Sequence, residues 1–158
     1  MDTSPWSLAM FIDTQRFGRI EIDESRIIRF IEGPLGFPGR RRFALLQTSP
    51  DPVFFWLQCV DDPYLAFVVC DPRAFVPDYE IGVRPDDVEP LQLRDPDDCQ
   101  VLVIVNRVGD DLTANLLGPI VVGAHSLYAK QLVLSDKRYS TRHRLMKLPV
   151  RQPVAKTA

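Results

Sequence analysis

Fourteen prolines run through this chain of 158 residues, from Pro5 to Pro153, and no single linker collects them. Proline lacks a backbone N–H and its ring clashes with the preceding turn, so it stops or kinks any helix beyond the first turn. Its share here is roughly twice the average, and the spacing predicts a chain without long helices. Between the prolines lie short segments rich in Val, Ile, Leu and Phe, at 9–12, 19–22, 27–31, 43–47, 53–60, 65–70, 79–83, 101–108, 112–117, 119–122 and 129–134. Runs of this length, bounded by turn formers, read as strands.

The connections carry their own chemistry. Asp61-Asp62-Pro63 and Gly109-Asp110-Asp111 each put Asx or glycine turn residues between two apolar runs, as a hairpin does. Sequential antiparallel pairing is therefore expected. The run 101–108 is almost continuously apolar and predicts a central strand covered on both faces, with Leu57, Val103 and Val105 in the core. Gln92 and Arg94 around Leu93 suggest a half-exposed edge. One short helix is expected over 85–91, where Pro85 suits the first helical position and Asp86, Asp87 and Glu89 favour a helix N-terminus. The predicted fold is all-β and mainly antiparallel: a small β-barrel-like domain with one or two short helices, closed or nearly so. Length matches one domain, placed at 1–146, with 147–158 as a basic tail expected to be disordered.

Three cysteines, Cys59, Cys70 and Cys99, are too few and odd in number for a disulfide framework, which fits a reducing cytoplasm. No apolar run approaches the roughly 18 residues of a membrane span, and no basic stretch precedes the short apolar one near the start. Secretion and membrane insertion are not expected.

Net charge is −2, too close to zero for a general nucleic-acid binder, yet its distribution is uneven. Residues 130–158 hold eight Lys or Arg against Asp136 alone, for +7, which leaves −9 on the rest of the chain. Thirteen Asp or Glu lie between Asp61 and Asp111 against Arg73, Arg84, Arg94 and Arg107. Such residues are either solvated turns or an acidic face for a basic protein, since complementary potentials speed encounter and exclude wrong partners. Asp61, Asp62, Asp97 and Asp98 are the candidate contacts, all expected in exposed turns.

Catalytic chemistry is weakly signalled. There is no CxxC, no HExxH and no G-x-S-x-G elbow, and the two histidines, His125 and His143, stand alone. Cys59 and Cys70 lie in apolar runs, as core thiols do. The Asp pairs sit beside turn formers, and strand neighbours point to opposite faces, so they do not make a proton-sharing dyad. The glycines of Gly33-Pro34-Leu35-Gly36-Phe37-Pro38-Gly39 lack the order of a phosphate loop; Arg40, Arg41 and Arg42 after them are either solvated or an anion site. No enzyme, cofactor or metal is expected. Two alternatives stay open: a small hydrolase using Cys59 or a serine with His125, and an RNA-binding β-barrel that uses the basic tail. Trp56, in Phe54-Phe55-Trp56-Leu57, is core or a partner anchor. Gln58 and Asn115 stand in apolar contexts, where an amide is satisfied internally or faces a partner.

Several motifs occur together and in order: Thr14-Gln15-Arg16-Phe17-Gly18 with Ile20-Glu21-Ile22; Phe55-Trp56-Leu57-Gln58; Asp61-Asp62-Pro63-Tyr64-Leu65-Ala66-Phe67-Val68-Val69; Asp78-Tyr79; Thr113-Ala114-Asn115-Leu116-Leu117-Gly118-Pro119-Ile120; and Lys130-Gln131-Leu132-Val133-Leu134. From about Thr14 to Leu145 the chain resembles the FliW flagellar assembly factors. It departs from their pattern at Ile31, where proline is frequent, in Phe37-Pro38-Gly39, at Cys59 for serine and at Gly118 for alanine. The resemblance implies a β-barrel-like non-enzyme in the cytoplasm that binds flagellin and, once flagellin has been exported, the translational repressor CsrA, relieving repression of flagellin messenger RNA. It implies no direct nucleic-acid or membrane partner, and a monomer when free is expected.

Overall fold

Alternation of apolar side chains closes the chain into a barrel. The computed structural model describes residues 8–95 and 97–148. It contains β1 (Ala9–Thr14), β2 (Gly18–Asp23), β3 (Ile28–Phe30), β4 (Arg42–Leu46), β5 (Phe54–Cys59), β6 (Ala66–Cys70), β7 (Cys99–Val108), β8 (Asp111–Ala114), β9 (Ile120–Gly123), β10 (Tyr128–Gln131) and β11 (His143–Lys147). Hydrogen bonding runs β7-β6-β5-β4-β3-β10-β9, and β9 returns to pair with the first half of β7. Those seven strands form a ring. The second half of β7 pairs with β8, which pairs with β11. Closure removes sheet edges that would otherwise recruit other chains.

Residues two apart on each strand line the interior: Ile28 and Phe30, Leu57 and Cys59, Ile120 and Val122, with Phe43, Val69, Leu102 and Ala129. Val103 and Val105, on the other face of β7, are buried in a second cluster with Cys70, Tyr79, Ala114 and Leu116. Strand β7 is thus covered on both faces, and Leu57, Val103 and Val105 are all core. A third cluster seats Leu91 against Val121 and Leu132 on the outside of β9 and β10. Leu91 comes from helix α1 (Pro85–Val88) and the 3-10 turn Glu89–Leu91, which together occupy the predicted helical segment.

Several expectations are corrected. Pairing is not wholly antiparallel, because β3 and β10 run parallel where the barrel closes. Residues 79–83 form no strand but a strap over the second cluster. The Tyr79 hydroxyl donates to the Leu116 carbonyl at 2.6 Å, and the Glu80 N–H donates to the Tyr139 hydroxyl at 2.9 Å. These bonds replace ladder pairing. Leu93 lies in an irregular loop, not an edge strand, after Gln92 in the left-handed region at φ 52°. Strand β11 is an addition. Lys147 ends it, the Leu148 N–H donates to the Asp110 carbonyl at 2.7 Å, and 149–158 of the expected tail lie outside the described residues.

The β1-β2 hairpin forms its own two-stranded sheet. Its turn needs a left-handed residue, supplied by Gly18 at φ 68°, and the Thr14 hydroxyl bridges the Gly18 carbonyl and the Phe17 N–H. The Gln15 N–H donates to the Pro63 carbonyl at 2.9 Å, tying this turn to the one between β5 and β6.

Candidate protein-docking surfaces

Strand β5 sends Leu57 and Cys59 into the barrel and Trp56 and Gln58 to the opposite side. Trp56 is half-buried under the β1-β2 turn: Phe17 meets its ring edge-on at 5.9 Å, and the Arg16 guanidinium lies over it at 4.1 Å. Gln58 is 1% exposed. Its amide nitrogen lies 3.1–3.4 Å from the carbonyls of Cys59, Asp62, Pro63 and Leu65, so this amide is satisfied internally and staples the β5-β6 turn.

That turn presents Asp61, Asp62 and Tyr64. Tyr64 is 77% exposed. Asp61 accepts two hydrogen bonds from Arg42, one from Nε at 3.1 Å, and Asp62 pairs with Arg40 at 3.5 Å. The Arg42 hydrogen bonds hold the Asp61 carboxyl below its usual range and raise the guanidinium correspondingly. An arginine thus stands against each acid and offsets its charge in place.

Asp97 and Asp98 behave differently from each other. Asp97 is exposed, as expected. Asp98 is not: it is 8% exposed and accepts hydrogen bonds from the Arg94 N–H at 3.0 Å and from His125 Nδ1 at 2.7 Å. The backbone N–H and the imidazole keep its carboxyl below the ordinary range. It locks the entry to β7 onto the β9-β10 turn and is a structural residue. The exposed acid in this region comes instead from Glu80, Asp86, Glu89, Asp95 and Asp97. Asn115 is half-buried and lies apart, its side-chain oxygen accepting from the Leu117 N–H at 3.1 Å. The candidate residues thus separate into the β5-β6 turn, the 86–98 segment and the β8-β9 connection. Sequence reading alone missed Arg16 over Trp56 and the charge-offsetting arginines, which only strand register brings into place.

The hydrolase alternative finds no support in this geometry. Burial pushes the Cys59 thiol up, away from a thiolate, and the Ser126 hydroxyl donates to the Leu91 carbonyl at 2.5 Å. Among the described residues no group of three or more His, Cys, Asp or Glu is placed to hold a metal ion, and no helix is long and apolar enough to cross a membrane.

The FliW protein family matches residues 11–145. The chain belongs to the FliW family. A flagellar assembly factor FliW from Treponema denticola is 37% identical over 139 residues, covering 87% of this chain and 94% of the relative. One from Syntrophus aciditrophicus is 41% identical over 140 residues, covering 87% and 89%. A crystal structure of the flagellar assembly factor FliW superposes with a TM-score of 0.79 at 40% identity, over 87% of this chain and 97% of that one. The relatives are flagellar assembly factors, a regulatory family rather than enzymes.

Proposed function

We propose that this chain is a flagellar assembly factor that works by partner exchange in the cytoplasm, binding flagellin and, when flagellin is exported, a CsrA-type repressor. Family membership supports the first part. The observation that carries the second is the exposed acid of the 80–97 region, where Glu80, Asp86, Glu89, Asp95 and Asp97 stand against Arg84 and Arg94. A basic repressor is drawn to such a face, and the bound acid then repels a polyanionic RNA nearby. This is negative coupling between RNA and the factor on the repressor, without occupation of every RNA contact. Asp61 and Asp62 contribute at the rim, since arginines already offset their charge; Trp56, beside that turn, and Asn115, apart from it in the β8-β9 connection, remain candidate contacts.

Competition between purified components tests the reading. Repressor bound to flagellin messenger RNA should release it when this protein is added, and flagellin should restore the RNA complex. Failure to bind either partner would refute the proposal, and RNA binding by this protein alone that truncation after Met146 abolishes would replace it with the RNA-binding reading.

A further inference from the structure

The arginines after the glycine loop are absorbed only in part by these contacts. Strand register places Tyr128 of β10 beside Arg29 of β3, and Arg29 opposite Arg42 of β4. These three line a cleft of about 670 Å³ together with Arg41, Ile31 and Pro90. Like charges directly opposite on a sheet repel. Asp61, also in the cleft wall, offsets Arg42 alone, and Arg40 is taken by Asp62. Arg29 and Arg41 have no ion-pair partner among the described residues.

Backbone geometry singles out the same place. Among the described residues, the non-glycine residues with positive φ are Gln92 at 52° and Leu127 at 59°. Gln92 lines the cleft, and Leu127 directly precedes Tyr128. Non-glycine residues held in the left-handed region carry backbone strain, which collects at ligand clamps.

We propose that this cleft binds an acidic peptide segment of a partner protein, with carboxylates on Arg29 and Arg41 and apolar side chains against Ile31, Pro90 and the Tyr128 ring. Arginine forks match carboxylates in two-point contacts. A nucleic acid fits less well, because only two guanidiniums in the cleft are unpaired, too few for a run of phosphates, and Ile31 and Pro90 give the wall an apolar part that a sugar-phosphate backbone does not match. The volume lies within the range of built ligand sites. This surface goes beyond the acidic-face reading and is independent of it, since it attracts the opposite charge.

Nuclear magnetic resonance titration of the full chain tests the assignment. The probes are a 12-residue peptide alternating Glu with Leu or Phe, the same peptide with Gln for Glu, and a 12-nucleotide single-stranded RNA. The acidic peptide should shift the amides of Arg29, Arg41, Gln92 and Tyr128, binding at least tenfold tighter than the Gln peptide. Arg29→Glu/Arg41→Glu should weaken it at least tenfold, with Arg29→Gln/Arg41→Gln as the substitute if charge reversal unfolds the barrel, while Arg107→Glu should not. Equal binding of the neutral peptide, shifts elsewhere, or unchanged affinity in the variants would overturn the proposal. Tighter binding of the RNA at the same amides would overturn it in favour of a phosphate site.

Discussion

Replacing Gln58 by leucine separates a turn staple from a partner contact. The buried amide group has two N–H donors and four carbonyls within reach, so it makes two good bonds at a time. Three of those carbonyls already accept a backbone N–H: Asp62 from Leu65, Pro63 from Gln15 and Leu65 from Cys59. Gln58→Leu therefore removes bonds without stranding these acceptors, and at about 1 kcal/mol per bond the loss is about 2 kcal/mol. Leucine nearly preserves the volume, whereas Gln58→Ala also opens space and should cost about 2–4 kcal/mol. Urea unfolding followed by circular dichroism reads this as a midpoint lowered by about 1 M at an ordinary m-value of about 2 kcal/mol/M. A loss below about 0.5 kcal/mol, the range of ordinary surface changes, would refute the staple. So would loss of partner binding with stability unchanged.

Leu57→Ala, emptying part of the barrel interior, should cost about 2–5 kcal/mol in the same assay. Gly33→Ala should cost more than about 2 kcal/mol, because Gly33 has φ 100° and an added Cβ would collide with the Phe37 carbonyl and lie 3.0 Å from that of Arg40. Asp61→Asn should flatten the acid limb of the stability curve. The wild-type carboxylate is depressed by Arg42, so its contribution is present above the ordinary carboxylate pKa of about 3.9 and is lost as pH falls through the lower native value. At this half-exposed pair it amounts to less than about 1 kcal/mol. Thiol titration at pH 8 should find Cys59 and Cys70 protected until the protein unfolds, since burial raises both thiols, Cys70 to about 12.

The barrel was legible because its interior residues alternate along short runs and because turn chemistry marks the β5-β6 and β7-β8 hairpins. The doubly covered β7 was legible for the same reason. Closure by β3 against β10 was not, since a parallel pair joins residues about a hundred positions apart and leaves no local mark. Tyr79, Ile81 and Val83 alternate as a strand would, but a strap that buries Tyr79 and part of Ile81 shares that pattern. Strand β11 is hidden by its charges, which an outer strand tolerates. The Asp97-Asp98 pair looks uniform in sequence; only the meeting of β7 with the β9-β10 turn gives Asp98 an imidazole and a backbone N–H and leaves Asp97 in solvent. The charge-offsetting contacts of Asp61 and Asp62 likewise depend on where β4 begins beside the end of β5.

Exposed acid around 86–97 is proposed to select a basic repressor. Stopped-flow association of a CsrA-type repressor, at low salt and at about 150 mM where the Debye length is about 8 Å, tests it directly. The variant carries Asp86→Lys, Glu89→Lys, Asp95→Lys and Asp97→Lys and leaves Asp98 intact, with circular dichroism as the folding control. The wild-type rate should fall as salt rises, and the variant should associate at least tenfold more slowly at low salt, with the two converging at high salt. Asp61→Lys/Asp62→Lys should slow association less, because their charges are already offset. An unchanged low-salt rate in the folded four-site variant would contradict the claim.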